Sequence, residues 1–155
     1  MRYTEIPEKD YPVFHSLACA YYREGEDAET PQEELDGFIR LLFGMLTQGE
    51  IRGCFALEGE EQAGFALWAS DTEDFAFSQL PGHGTILEIG LIPRFRRSGR
   101  GREFVLHLEE CMKKAGLEQF YVCAYGPAQI FWQRLGYSPN GSIAENGLPI
   151  LTKTI

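Results

Sequence analysis

Five arginines fall within nine residues of this chain: Arg94, Arg96, Arg97, Arg100 and Arg102, interleaved with Ser98, Gly99 and Gly101. The apolar run Ile86-Leu87-Glu88-Ile89-Gly90-Leu91-Ile92 precedes them, and an amphipathic stretch follows. A strand running through a glycine-bearing turn into a helix makes an anion seat. The first N–H groups of a helix have no partner inside it and carry partial positive charge. Glycines let the backbone wrap an oxyanion without a Cβ in the way. The chemistry expected of such a turn is phosphate binding. The charge pattern agrees, since the rest of the chain holds only nine Lys and Arg against all 23 acids. Positive charges at a helix start oppose its dipole by roughly 0.3–1 kcal/mol each, a cost an anionic ligand would relieve. The competing reading is a solvated arginine cluster. The turn is not a P-loop, because GxxxxGK[ST] is absent, and it is not a dinucleotide fingerprint, because Phe104 stands where the last glycine would fall.

Elements to position this turn can be read on both sides of it. Arg2 to Ile6 alternates as a strand. Tyr11 to Tyr22 places Phe14, Leu17, Ala18 and Tyr21 at helical spacing, and Pro31 opens a second helix that Leu35, Phe38, Ile39, Leu42, Phe43 and Leu46 carry to about Gln48. Ile51 to Leu57 and Gln62 to Ser70 read as strands around Glu58 to Glu61, and Asp71 to Gly84 as a long loop. Thr85 to Ile92 is a strand stopped by Pro93. Gly101 to Ala115 is a helix with Phe104, Val105, Leu108, Cys111, Met112 and Ala115 on one face, ended by Gly116. Phe120 to Ala124 is a strand and Ala128 to Leu135 a short helix. Tyr137 to Ile143 and Pro149 to Ile155 form a hairpin around Asn146-Gly147. The order β-α-α-β-β-β-α-β-α-β-β predicts an α/β fold with a mixed sheet, as one domain over 1–155.

Composition narrows the partners. With 44% hydrophobic and 24% charged residues, the 155-residue chain is globular. A net charge of -9 disfavours nucleic acid, which wants a basic surface. No apolar run approaches the ~20 residues that span a bilayer, and the first residues do not read as a signal peptide. Cys19, Cys54, Cys111 and Cys123 form no CxxC pair, and His15, His83 and His107 are not spaced as a metal site. Free thiols and a cytoplasmic location are expected.

Arg96-x-x-Gly99-x-Gly101 resembles the [Q/R]-x-x-G-x-[G/A] motif of GNAT acetyltransferases. Leu91-x-Pro93-x-Phe95 reproduces its usual approach, and Ala128-Gln129-Ile130-Phe131-Trp132-Gln133-Arg134-Leu135-Gly136-Tyr137 is similar to a second segment of that family. The resemblance covers nearly the whole chain. It implies a sheet splayed between its fourth and fifth strands, with acetyl-CoA entering the split. Main-chain amides across Arg97, Ser98, Gly99, Arg100, Gly101 and Arg102, at the motif opened by Arg96, would hold the diphosphate. Leu91 and Ile92 would meet the pantetheine arm through their main chain, and Gly90 would accommodate a bulge. The activity implied is transfer of acetyl from acetyl-CoA to a primary amine by direct attack in a ternary complex. The alternative is an acyl-CoA sensor or subunit of the same fold that transfers nothing.

Direct attack needs a base for the amine proton and a donor for the developing oxyanion. Glu88 is the candidate base, the one carboxylate in its strand, sharing a face with Ile86 and Gly90. In an apolar setting its pKa is expected to rise. The alternative for Glu88 is a solvated or arginine-paired acid. The family's usual tyrosine acid falls on Trp132, whose indole is no practical proton donor. Its frequent asparagine falls on Tyr125. Tyr125, which begins the helix that should flank the thiol, is the first candidate acid, with Tyr137 and Cys123 behind it, and Trp132 is expected against the pantetheine arm or in the core. Phe38, Phe43, Trp68, Phe75 and Phe77 read mostly as core, with Phe75 and Phe77 the candidates for an acceptor pocket. Glu24, Glu26, Asp27, Glu29, Glu33 and Glu34 crowd the break between the first two helices. They form either a solvated loop or an acidic wall favouring a cationic amine acceptor. A homodimer is left open.

Overall fold

The structure, a computed structural model, describes residues 1–25 and 27–155. Among the described residues, seven strands and four helices follow the expected order: β1 (Arg2–Glu5), α1 (Tyr11–Arg23), α2 (Gln32–Thr47), β2 (Arg52–Glu58), β3 (Glu61–Ser70), β4 (Gly84–Leu91), α3 (Arg100–Lys114), β5 (Gln119–Cys123), α4 (Gly126–Arg134), β6 (Ser138–Ile143) and β7 (Pro149–Thr154). Two short 3-10 turns, Glu8–Asp10 and Pro93–Phe95, were not legible as separate elements. The strands form a mixed sheet in the order β1-β2-β3-β4-β5-β7-β6. Among the described residues no helix is long and apolar enough to cross a membrane. The chain forms two compact units, Met1–Leu67 with Glu88–Gly101, and Trp68–Leu87 with Arg102–Ile155.

The first unit is built on the α1/α2 pair. Phe14, Ala18 and Tyr22 recur every fourth residue of α1 and are buried; Leu35, Ile39 and Phe43 do the same for α2, with Leu42 three residues after Ile39 on the same face. Their rings interlock: Phe14 lies 5.3 Å from Phe43 and 5.6 Å from Phe65 of β3, spacings at which aromatic pairs attract beyond their area. Phe38, expected in the core, is exposed on α2, with its ring edge against Tyr22. β1 pairs antiparallel with β2, from Arg2↔Leu57 to Glu5↔Cys54. Gly64 has a packing reason. A Cβ there would stand 2.0 Å from the Gly90 carbonyl oxygen, so only glycine lets β3 and β4 approach this closely.

The second unit holds the parallel pair. Gly84 and Thr85 of β4 register with Phe120 and Tyr121 of β5, a connection that needs a crossover helix. That helix is α3, whose Phe104, Val105, Leu108 and Met112 are fully buried. Ala115, placed on the same face by the sequence, is exposed past the helix end. Gly116 (φ 89°) closes α3, with Leu117 N–H donating to Met112 O at 3.1 Å. β5 pairs antiparallel with β7, and β7 with β6, closing the expected hairpin at Gly147. The 71–83 loop is not loose. Asp71, 2% exposed, accepts bonds from Gln79 N, Leu80 N and the Tyr121 hydroxyl at 2.9, 2.9 and 2.6 Å. Burial alone would raise the Asp71 carboxyl. Hydrogen bonds from Ser78, Tyr121, Gln79 and Leu80 outweigh it and hold the group below the usual carboxylate range.

Candidate active site

The end of β4 is turned sharply into α3. Pro93 stops the strand, and Phe95 N–H and Arg96 N–H fold back onto Ile92 O and Pro93 O at 3.0 and 3.1 Å. Arg97 then adopts φ 63°, the one non-glycine with positive φ among the described residues, and Gly99 adopts φ 81°. A left-handed arginine costs roughly 1–2 kcal/mol, and such strain persists only where the surroundings fix it. Among the described residues, the N–H groups of Arg97, Ser98 and Gly99 have no acceptor. The opening N–H groups of α3 at Arg100, Gly101 and Arg102 have none within the helix. The turn thus presents a run of unpaired donors at a helix start, the geometry an oxyanion requires.

The charges are arranged differently from the sequence expectation of mutual repulsion awaiting a ligand. Arg94 pairs with Glu61, and Arg100 pairs with Glu58 while donating to Ser98 Oγ at 2.6 Å. Arg96 forms a bidentate pair with Glu24, Nη1–Oε2 2.8 Å and Nη2–Oε1 3.0 Å, and its Nε donates to Leu91 O at 2.8 Å. Bonds from Arg96 and Arg100 hold the Glu24 and Glu58 carboxyls below their usual range. Among the described residues no carboxylate pairs with Arg97 or Arg102. Arg96 is the clearest departure: both its N–H and its guanidinium are engaged inside the protein, so it is not poised as an anion ligand. Leu91 and Ile92 are also partly committed. Leu91 O accepts from Arg96, and Ile92 N–H donates to Ala63 O at 2.8 Å. Their carbonyls each keep a second lone pair for a further bond.

Beside this turn, in the first unit, a cleft of about 30 Å³ is lined by Tyr21, Glu24, Gly64, Gly90, Leu91 and Arg96 among others, room for about one water. A Cβ at Gly90 would stand 2.6 Å from the Tyr21 ring. Gly90 is therefore needed for the approach of α1 to the β4 face that also carries Glu88. Glu88 is half-buried. The Tyr22 hydroxyl is buried beside it without a well-formed bond; burial, and then the charge of Glu88, push that phenol far above its ordinary pKa. Nothing in the spacing of residues along the chain connects Tyr22 with Glu88; the fold brings them together.

The acid candidates lie in the second unit and separate cleanly. Tyr125, the N-cap residue of α4, is 43% exposed and makes no side-chain cap bond. Tyr137 is buried, and its hydroxyl donates to Glu109 at 3.1 Å; burial and that carboxylate keep the phenol protonated. Glu109 is itself 3% exposed and takes both oxygens to Lys153 Nζ, at 2.9 and 3.0 Å. Cys123 is pushed up to about 11 by burial, with the charge of Asp71 adding. Trp132 is 6% exposed, edge-on to Phe131 and Tyr137 at 5.1 and 5.2 Å. Of its two expected places, it occupies the core. Phe75 and Phe77 sit edge to face at 5.7 Å, half-buried. In the acidic break, Glu24 is spent on Arg96, Asp27 accepts from the Thr30 hydroxyl at 3.0 Å, and Glu29, Glu33 and Glu34 are exposed. Glu26 lies outside the described residues.

The profile of the acetyltransferase (GNAT) family matches residues 11–137. A protein of Bacillus subtilis (strain 168), YyaT, itself uncharacterised, is 34% identical over 82 residues. The match takes in 50% of this chain and spans about half (55%) of that relative's length. Three solved structures overlay nearly the whole chain. PaiA N-acetyltransferase from Thermoplasma acidophilum, in complex with coenzyme A, has a TM-score of 0.74 at 14% identity, covering 99% of this chain and 98% of that one. A GCN5-related N-acetyltransferase from Ralstonia eutropha JMP134 gives 0.75 at 22% identity, covering 93% and 96%. An aminoglycoside 6'-N-acetyltransferase complexed with coenzyme A gives 0.71 at 15% identity, covering 99% and 97%. At these identities the likeness is one of fold.

Proposed function

This chain belongs to the GNAT acetyltransferase family, and on that premise we propose that it transfers an acetyl group from acetyl-CoA to a primary amine by direct attack. The observation that carries the reading is the turn at residues 97–101. Its donors have no acceptor among the described residues, and its backbone is held left-handed at Arg97 and Gly99. These N–H groups would seat the diphosphate of the coenzyme. Solved relatives of the fold that hold coenzyme A support that choice of anion. The remaining lone pairs of Leu91 O and Ile92 O are available to the pantetheine amides.

In the reaction, the neutral amine nitrogen attacks the thioester carbonyl. The C–N bond forms, the C–S bond breaks, and the amine proton passes to a base while the thiolate takes one from an acid or from water. Glu88 is the base we assign, with Tyr22 beside it. Tyr125 is the acid, favoured because Tyr137 and Cys123 are buried and held protonated and Trp132 is in the core. The exposed carboxylates Glu29, Glu33 and Glu34 favour a cationic acceptor.

A calorimetric titration with acetyl-CoA, desulfo-CoA and ATP tests the seat: both coenzyme species should bind well beyond ATP. Thiol release with a panel of amines tests the transfer. A second reading, a coenzyme-binding protein that transfers nothing, draws on the same burial of Trp132, Tyr137 and Cys123, and predicts binding without thiol release. Glu88→Gln should lower turnover and remove a limb of its pH profile. An unchanged profile takes Glu88 out of the mechanism.

A further inference from the structure

The Glu24–Arg96 pair joins segments 72 residues apart. One guanidinium reaches both oxygens of Glu24, the residue that follows α1, and at the same time the carbonyl of Leu91, the last residue of β4. The main chain of Arg96 is fixed as well, by its N–H on Pro93 O. The next residue is Arg97, held at φ 63°. A strained residue keeps its conformation only if its neighbours over-determine it, and Arg96 is the neighbour anchored through both main chain and side chain. Surface ion pairs are usually worth little, but a bidentate arginine fork is the geometry that is an exception.

We propose that Glu24 is a positioning residue for the anion turn: through Arg96 it braces the backbone that must hold Arg97 and Gly99 left-handed, and Arg96 serves as a strut and not as a ligand for the diphosphate. This rests on the function proposed above. It separates two roles that a charged residue in this motif can have. A ligand contributes charge, so lysine in its place should keep most of the effect. A strut contributes a planar fork with fixed donor directions, which lysine lacks.

The test is isothermal titration of the full chain with coenzyme A and, as a probe without the diphosphate, pantetheine, each at low and high salt. For a strut, Arg96→Lys weakens coenzyme A about as much as Arg96→Ala, by about tenfold. That is the order expected if the turn must spend 1–2 kcal/mol to regain its shape. Glu24→Gln also weakens it, and Glu24→Asp weakens it less. Pantetheine affinity stays unchanged, and the salt dependence of coenzyme A binding stays unchanged in Arg96→Lys and Glu24→Asp, which keep both charges of the pair. Thermal melts of each variant confirm folding, and Glu24→Gln, the mildest change that removes a charge of the pair, keeps the comparison open should Arg96→Ala unfold. Near wild-type binding by Arg96→Lys, or tighter binding by Glu24→Gln, overturns the strut. Absence of coenzyme A binding by the wild-type chain would overturn the proposed function instead.

Discussion

Replacing Gly99 with alanine isolates the backbone of the anion turn. Gly99 sits at φ 81° with nothing within 4 Å of where its Cβ would be, so the substitution brings no clash and removes no contact. What it adds is the left-handed penalty of an L-residue, roughly 1–2 kcal/mol. If the variant turn keeps its shape without ligand, the whole penalty appears as lost folding stability. If it relaxes, the stability loss shrinks and the difference reappears when a ligand forces the shape back, as weaker binding. The two losses should therefore sum to about 1–2 kcal/mol, with binding weakened by at most about 30-fold in the second limit. Urea denaturation gives the first number and titration with coenzyme A the second. Gly37 is the control. It lies in α2, also with open space around its Cβ and without a positive φ, so Gly37→Ala should stabilise by about 0.5–1 kcal/mol and leave binding alone. If Gly99→Ala changes neither stability nor binding, the left-handed turn is not a feature the protein depends on, and it is not the seat.

Three further outcomes follow from the packing. Gly64→Ala has no open space, because the new Cβ would meet the Gly90 carbonyl at 2.0 Å; a loss of about 3 kcal/mol or more in urea unfolding is expected, and a loss below about 1 kcal/mol would show that the strands part easily. Lys153→Met leaves Glu109 charged and buried, with the Tyr137 hydroxyl as its one remaining partner among the described residues, which should cost about 3–5 kcal/mol, against about 1–1.5 kcal/mol for Tyr137→Phe, which keeps the ion pair; reversal of that order in denaturation would refute it. Because the Asp71 pKa is depressed in the folded chain, its contribution is present above the unfolded value of about 3.9 and is lost as pH falls through the lower folded value; urea midpoints measured from pH 6 downward should fall more steeply in wild type than in Asp71→Asn, and parallel curves would contradict it.

Elements with a strong period were legible because each one announces its own burial. Phe104, Val105, Leu108 and Met112 specify the inner face of α3, and Gly116 specifies its end, without reference to anything distant. Pro93, Gly99 and Gly101 marked the turn for the same reason, since they are local constraints on the backbone. The partners that complete the site were not legible. Glu24, Glu58 and Glu61 look like any of the chain's 23 acids until the fold brings them to Arg96, Arg100 and Arg94. Asp71 reads as an ordinary turn acid, and only the structure shows it gathering Gln79, Leu80 and Tyr121. Glu109 occupies a position next to a helix's apolar face that normally belongs to solvent, and the lysine that neutralises it is 44 residues away. Arg97 carries no sign of its positive φ, because left-handed arginine has no sequence signal.

The pairing of the arginines changes how selectivity in the proposed seat would arise. Five cations at a helix start, taken alone, would attract any anion and would bind it with a steep dependence on salt. Among the described residues, three of the five are neutralised by carboxylates in fixed geometry, which leaves Arg97 and, in the first turn of α3, Arg102 without a carboxylate. Two positive charges match a diphosphate diester, which carries one negative charge on each phosphorus, and they match a triphosphate or a polyanion less well. The paired arginines do not thereby become idle. Each ties the turn to a strand or helix end, so their charges are exchanged for backbone order. Discrimination would then rest on the spacing of N–H donors more than on attraction at a distance. That is why the decisive variants are the ones that alter the backbone, at Gly99, and its brace, at Glu24, more than those that only remove charge.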